Sequence, residues 1–172
     1  MPEPSFVYKL PRQIESEYPD NNLLAVLQSR TRKLWDCGTI DVPVLDFSVP
    51  LKNALIAARH SGRILRGLEA ATATLDQEGR GIDLLSQHAP QGQRVSRLML
   101  LADDGSNNFY RNVERLLVKH APRVLGCMVE ADSFSLGSLL FGPEKVAKLV
   151  LVSHKDDVSR LLLALMTSAD AR

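Results

Sequence analysis

Arg97-Leu98-Met99-Leu100-Leu101-Ala102, Val124-Leu125-Gly126-Cys127-Met128-Val129 and Leu149-Val150-Leu151-Val152 are three short, almost continuously apolar runs. Runs of four to six residues without polar alternation are expected of strands that are buried on both faces. Helical periodicity fills the intervals. Phe109, Val113, Leu116 and Leu117 share one face, Leu136, Leu139 and Leu140 precede Gly142-Pro143, and Val158, Leu161, Leu162 and Leu165 mark a last helix. Strand followed by helix, three times over, predicts a βαβαβα unit across 93–172 and places the chain in the α/β, Rossmann-like class with a parallel sheet. Right-handed crossovers would then bring all three strand ends to one edge, where ligands usually bind.

Working back toward the N-terminus, residues 1–92 read as a helical region with edge strands that packs with the C-terminal unit into one domain. Phe6, Tyr8 and Leu10 alternate ahead of Pro11, which suggests a short edge strand over 5–10. A helix over 21–36 follows from Leu23, Leu24, Val26, Leu27 and Leu34, with Gly38 as its left-handed C-terminal residue. Ile40, Val42 and Val44 extend 39–46, and Pro43, which cannot donate to a ladder, marks it as an edge. Ser48 caps the next element, with Pro50 in its first turn. From there Leu51, Leu55, Ala58, Gly62, Leu65, Leu68 and Leu75 trace one amphipathic stripe, predicting a long helix over about 49–77 in which Gly62 admits a close neighbour. Residues 82–87 could add a turn, and His88-Ala89-Pro90-Gln91-Gly92-Gln93 reads as a polar connection at the internal boundary.

Composition narrows the function classes. The 172 residues can bury a core without staples, and 21 basic against 20 acidic residues give a net charge of +1. That balance predicts no general pull toward nucleic acid or anionic membrane. Nine aromatic residues, none interleaved with basic ones, make no stacking platform, so sequence-specific nucleic-acid binding is not expected. Met1-Pro2-Glu3-Pro4 is unlike a signal peptide, no apolar run reaches the ~18 residues of a membrane span, and Cys37 and Cys127 lack metal or redox spacing. A cytoplasmic protein with reduced thiols is expected.

Acid follows each strand: Asp103 and Asp104, then Glu130 and Asp132, then Asp156 and Asp157. If the strands share an edge, Asp104, Asp132 and Asp157 could offer Mg²⁺ the hard oxygens it requires and support phosphoryl transfer or phosphodiester cleavage. The competing account is N-capping, because each acid sits where a strand hands over to a helix and three helices require three caps. Leu98 to Asp104 is similar to the first strand of a response-regulator receiver domain, and Leu149 to Asp157 resembles that fold's fourth strand, with Ser153 in the switch hydroxyl position. That likeness implies Mg²⁺ at paired acids, although three strands are apparent here where a receiver has five. Glu130-Ala131-Asp132 resembles the Asp-x-Asp pair of the Toprim nuclease and topoisomerase domain, where Mg²⁺ is also held, but the first strand ends in Ala102-Asp103-Asp104 instead of Glu-Gly.

Other chemistries find less support. Ser153 and His154 are adjacent on a strand and point to opposite faces, no Gly-x-Ser-x-Gly elbow occurs, and His60, His88 and His120 make no zinc pattern with two lone cysteines. No resident cofactor is expected, Mg²⁺ being the one ion the acids would take. Lys52, Arg59, Arg63 and Arg66 fall in one sector of the proposed long helix. Such a row could meet phosphates, an acidic partner, or the acidic edge of the chain's own C-terminal unit. The expectation is a non-catalytic α/β binding or interaction module that takes a protein partner or a small ligand and self-associates. The alternatives are a Mg²⁺-dependent enzyme and a degenerate receiver-like signalling domain.

Overall fold

The computed structural model describes residues 8–19, 22–85 and 94–170. Helices α1 (Arg12–Glu17) and α2 (Leu23–Ser29) precede strands β1 (Thr31–Lys33) and β2 (Asp41–Leu45). Then come α3 (Val49–His60), β3 (Ile64–Arg66), α4 (Leu68–Leu85), β4 (Arg97–Leu101), α5 (Asn107–Lys119), β5 (Val124–Val129), α6 (Ser133–Phe141), β6 (Leu149–Val152) and α7 (Lys155–Asp170). The strands form one six-stranded sheet in the order β1-β2-β5-β4-β6-β3, so both halves of the chain contribute to it. This is an α/β fold of the class expected.

The sheet separates two cores. Alternate residues of β4 face opposite ways: Leu98 and Leu100 join Cys127, Val150 and Val152 beneath α3, α6 and α7, while Met99 and Leu101 join Met128, Leu149 and Leu151 beneath α4 and α5. Burial of both faces explains why these strands lack polar alternation. Gly126 serves this packing directly, since a Cβ there would come within 2.6 Å of Leu117 Cδ1 on α5.

One strand runs against expectation. β4 and β5 are parallel and so are β2 and β5, but β6 pairs antiparallel with β4, in the register Leu98↔Val152 to Leu101↔Leu149. The cause is the path after α6. The chain turns at Gly142 (φ 107°) and Glu144 (φ 65°), returns along α6, and brings Ala147 N–H within 2.9 Å of Ser133 O at the start of that helix. β6 therefore enters the sheet at the end where β5 leaves it, and α6 makes no crossover. Gly137 permits the return: a Cβ would lie 2.3 Å from Lys145 O.

The long helix over 49–77 is two helices. α3 stops at His60, and Gly62 (φ 72°) and Gly67 (φ 95°) bracket β3, which pairs antiparallel with β6 at the sheet margin. A Cβ at Gly62 would meet nothing within 4 Å, so the residue supplies left-handed backbone and not a close approach. Three residues inserted as a strand leave the apolar spacing nearly intact, which is why the sequence stripe runs on without a break.

Smaller departures lie near the N-terminus. α2 ends at Ser29 because Arg30 is extended and Thr31–Lys33 pair with β2, and Gly38 closes a loop through its N–H to Trp35 O without a left-handed conformation. β2 is flanked on both sides, by β1 and β5, and is not an edge. Its Pro43 lies just outside the β5 ladder, which holds only Val44 and Leu45. The strand expected over 5–10 falls partly outside the described residues, and of its remainder Lys9 makes one bridge to Arg94. The connection over 88–93 lies outside them, and α4 continues through Gly79 and Gly81 to Leu85. Ser48 does cap α3, accepting from Leu51 N–H. Among the described residues no helix is long and apolar enough to cross a membrane.

Candidate functional site

The reversal of β6 redistributes the acids. Asp104 and Asp132 follow the parallel strands β4 and β5 and meet at one end of the sheet, where the Asp104 carboxylate accepts from Ser133 N–H at 2.9 Å and Ser133 Oγ–H at 2.7 Å. Asp132 caps α6 by accepting from Ser135 N–H at 2.7 Å, and that backbone bond holds its carboxyl below the usual range. α5 is capped by Ser106 and not by Asp104. Asp157 sits at the opposite end, since Val152 at the close of β6 pairs with Leu98 at the start of β4. It is 1% exposed and flanked by Arg63 at 3.2 Å and Arg160 at 3.1 Å. No group of three or more His, Cys, Asp or Glu side chains able to hold a metal occurs among the described residues.

His154 prepares the same end for α7. Its Nδ1 accepts from Asp156 N–H at 3.2 Å and lies 3.3 Å from the Arg63 guanidinium. Ser153 Oγ–H donates to Arg63 O, so serine and histidine serve the junction separately.

The basic row is dispersed by the β3 insertion and then partly gathered again. Lys52 lies over the Phe47 ring at 4.8 Å, and Arg63 turns to Asp157. Arg59 and Arg66 converge on Phe141, each 5.3 Å from its ring centroid. Arg59 Nε–H donates to Leu140 O at 3.2 Å, and Arg66 Nε–H donates to Val146 O at 2.9 Å. Neither guanidinium has a carboxylate partner among the described residues. Each is oriented by one carbonyl and one ring, and both residues are exposed. Exposed Lys145 and Lys148 flank Val146 in the same return segment. The row thus reaches its own C-terminal unit, but chiefly through carbonyls and an aromatic ring instead of the acidic edge that the sequence reading offered as one alternative, Arg63 alone meeting an acid.

Two further polar clusters were not singled out by sequence. Between α4 and the turn after α5, Asp76 accepts from Lys119 at 2.9 Å and lies 3.0 Å from His120 Nε2, while Glu78 binds Arg97 at 2.7 Å and Arg123 at 3.0 Å. Hydrogen bonds from Lys119 and His120 hold the Asp76 carboxyl below its usual pKa, and burial lowers the pKa of His120. This network borders a cavity of about 470 Å³ that adjoins another of about 550 Å³ along the groove between α4 and α5. The second cluster is Glu114, 7% exposed, whose carboxylate accepts from Trp35 Nε1–H at 2.7 Å, Thr39 N–H at 2.7 Å and Ile40 N–H at 3.0 Å. A signal for it existed: Glu114 interrupts the buried stripe of Tyr110, Val113 and Leu117, and a charge in a buried stripe requires partners.

At the end of the sheet beside Asp103, a small cleft of about 310 Å³ lies against β1, β2 and β5. Its Arg30 is already neutralised by Asp46 at 3.0 Å and by Glu130. Cys127, wholly buried, has its thiol pushed up in pKa by desolvation and is no nucleophile at neutral pH.

No family model and no curated protein matches the chain. Among solved structures, the chain is similar to a protein with unknown function from Bacillus halodurans C, at a TM-score of 0.48 and 15% identity over 69% of this chain and 97% of that one. It is also similar to the 15.5 kD RNA binding protein of Giardia lamblia, at a TM-score of 0.45 and 14% identity over 72% of this chain and 87% of that one.

Proposed function

We propose that the chain is a non-catalytic binding module that holds the phosphate backbone of a structured nucleic acid against Arg59, Arg66, Lys145 and Lys148. The observation that supports this is the pair of guanidinium groups fixed over Phe141 without carboxylate partners. Among the described residues Arg30, Arg63, Arg94, Arg97, Arg123 and Arg160 each pair with an acid, whereas Arg59 and Arg66 are held by carbonyls and a ring. Two unpaired, pre-oriented forks present several N–H donors in a geometry that suits phosphate oxygens, with little side-chain entropy left to lose. All four cations are exposed, and Lys145 and Lys148 lie within two residues of Val146, whose carbonyl Arg66 binds, so several cations rather than one are offered to a chain of phosphates. Contact is with the backbone, in keeping with the absence of a stacking platform.

The test is fluorescence anisotropy with short duplex and hairpin RNA or DNA across a salt series. Four phosphate contacts give a slope of log K against log salt of about −3 to −4, and Arg59→Ala with Arg66→Ala reduces its magnitude by about 2. Equal affinity for an acidic peptide, or a double variant that binds as well as wild type, would refute the proposal.

A further inference from the structure

α4 and α5 lie on one face of the sheet and run in the same direction, because each follows a strand that ends at the same edge. The groove between them holds the cavities of about 470 Å³ and about 550 Å³, which share Asp76 and Lys119 and so form one cleft. Each falls within the range of roughly 300–1,000 Å³ usual for small-molecule sites. The two ends of the cleft differ in chemistry. The end toward Leu68 is walled by Leu68, Ala73 and Leu116, and Thr72 there donates its hydroxyl to Leu68 O at 2.7 Å, within its own helix. Glu69 and Arg115 offset each other in charge at this end. At the other end the acids are engaged: Asp76 is bound by Lys119 at 2.9 Å and lies 3.0 Å from His120 Nε2, and Asp83 also has a partner. Arg123 is taken by Glu78. Arg80 lines this end, is exposed, and pairs with no acid among the described residues, while Lys119 gives Asp76 one of its three N–H donors. The helix surface there is bare as well. Gly79 and Gly81 fall in α4 although glycine disfavours a helix, and packing within the chain requires neither. A Cβ at Gly79 would make ordinary contact with His120 Cε1 at 3.4 Å, and one at Gly81 would meet nothing within 4 Å.

We infer that this cleft binds a small amphipathic anion, with its apolar body between Leu68, Ala73 and Leu116 and its carboxylate or phosphate-ester head beside Arg80 and Lys119. The body gains by leaving water for an apolar wall, and the head takes two parallel N–H donors from the one guanidinium that no acid occupies. The bare backbone at Gly79 lets the head come close to the helix. A neutral apolar molecule would leave the cationic end unused. A polyanion would meet Glu69 and Asp76 along the same wall, so a single anionic group fits best. The inference is independent of the nucleic-acid proposal, since the cleft shares no residue with the surface of Arg59, Arg66, Lys145 and Lys148.

Fluorescence titration of the full chain tests it with two probes of one shape, anilinonaphthalene sulfonate and its uncharged parent N-phenylnaphthylamine. The variants are Arg80→Gln, which removes the charge at the head, and Ala73→Gln, which fills the apolar end. Both positions are exposed, and circular dichroism confirms that each variant is folded. Wild type binds one sulfonate probe with a Kd of about 10–100 µM, the affinity expected of a ligand of that size. The uncharged parent binds about three- to tenfold more weakly, and Arg80→Gln brings the sulfonate down to the same level without affecting the parent. Ala73→Gln weakens both probes by at least about fivefold. Three results overturn the inference: no saturable binding of the sulfonate up to about 1 mM, binding that folded Arg80→Gln and Ala73→Gln both leave unchanged, or an uncharged parent that binds as tightly as the sulfonate. Anisotropy with nucleic acid reads Arg59 and Arg66 instead, so failure of either proposal is seen separately from failure of the other.

Discussion

Glu114 shows how much one side chain can organise. Burial raises the energy of its charge, yet the Trp35, Thr39 and Ile40 donors outweigh that cost and hold its carboxyl below the usual range. In return the carboxylate fixes the loop between β1 and β2 to α5, two elements about 75 residues apart in sequence. Glu114→Gln keeps the shape but turns an amide N–H₂ toward Trp35 Nε1–H or toward the Thr39 and Ile40 amides, leaving a buried donor unpaired. The expected cost is about 2 kcal/mol, a fall in Tm of roughly 5 °C. Because Trp35 is the single tryptophan, its emission reports the contact directly. A variant with unchanged melt and unchanged emission would show that the loop is held by other means.

At the scale of elements, the sequence was most legible where local pattern and tertiary environment agree. β4, β5 and β6 are apolar at nearly every position because both faces are covered, and α5 and α7 keep their period because one face is buried. Direction is a different matter: nothing within Leu149–Val152 records that β6 runs antiparallel, because the cause lies in the return of residues 142–148 along α6. With β6 reversed, Asp157 left the edge that Asp104 and Asp132 share, so the three-acid site depended on a topology that local pattern cannot supply. Likewise β3 is too short to disturb the apolar stripe, and only Gly62 and Gly67 hinted at the break. Asp132 was legible as a cap because capping is local. Gly137→Ala tests the return path, since the new methyl would meet Lys145 O at 2.3 Å and Ala147 N at 2.7 Å, and backbone cannot swing away as a side chain can. The α6 helix would have to separate from the return segment, at a cost of about 1–3 kcal/mol. A thermal melt within about 1 °C of wild type would mean that the segment yields freely.

For the whole molecule, the shifted groups act together on the response to acid. His120 is depressed by burial despite its bond to Asp76, and the carboxyls of Asp76, Glu114 and Asp132 are depressed by hydrogen bonds. In each case the unfolded chain binds protons at a pH where the folded chain does not, so the slope of unfolding free energy against pH is positive. The stabilisation is present above the unfolded pKa and is lost as pH falls toward the folded one. The histidine contribution therefore begins to decline near pH 6.5, and the carboxyl contributions follow below about pH 4.5. His120 also lies 3.3 Å from Arg123, so a proton gained on the ring would set two cations together under α4. Its consequence is an early, separable loss of stability between about pH 7 and pH 5.5. Urea melts across that interval should show wild type weakening as acid is added, while His120→Gln, which cannot titrate, stays level until the carboxyl range. If both proteins weaken in parallel through the histidine range, protonation of His120 is not the step that loosens the joint between α4 and α5.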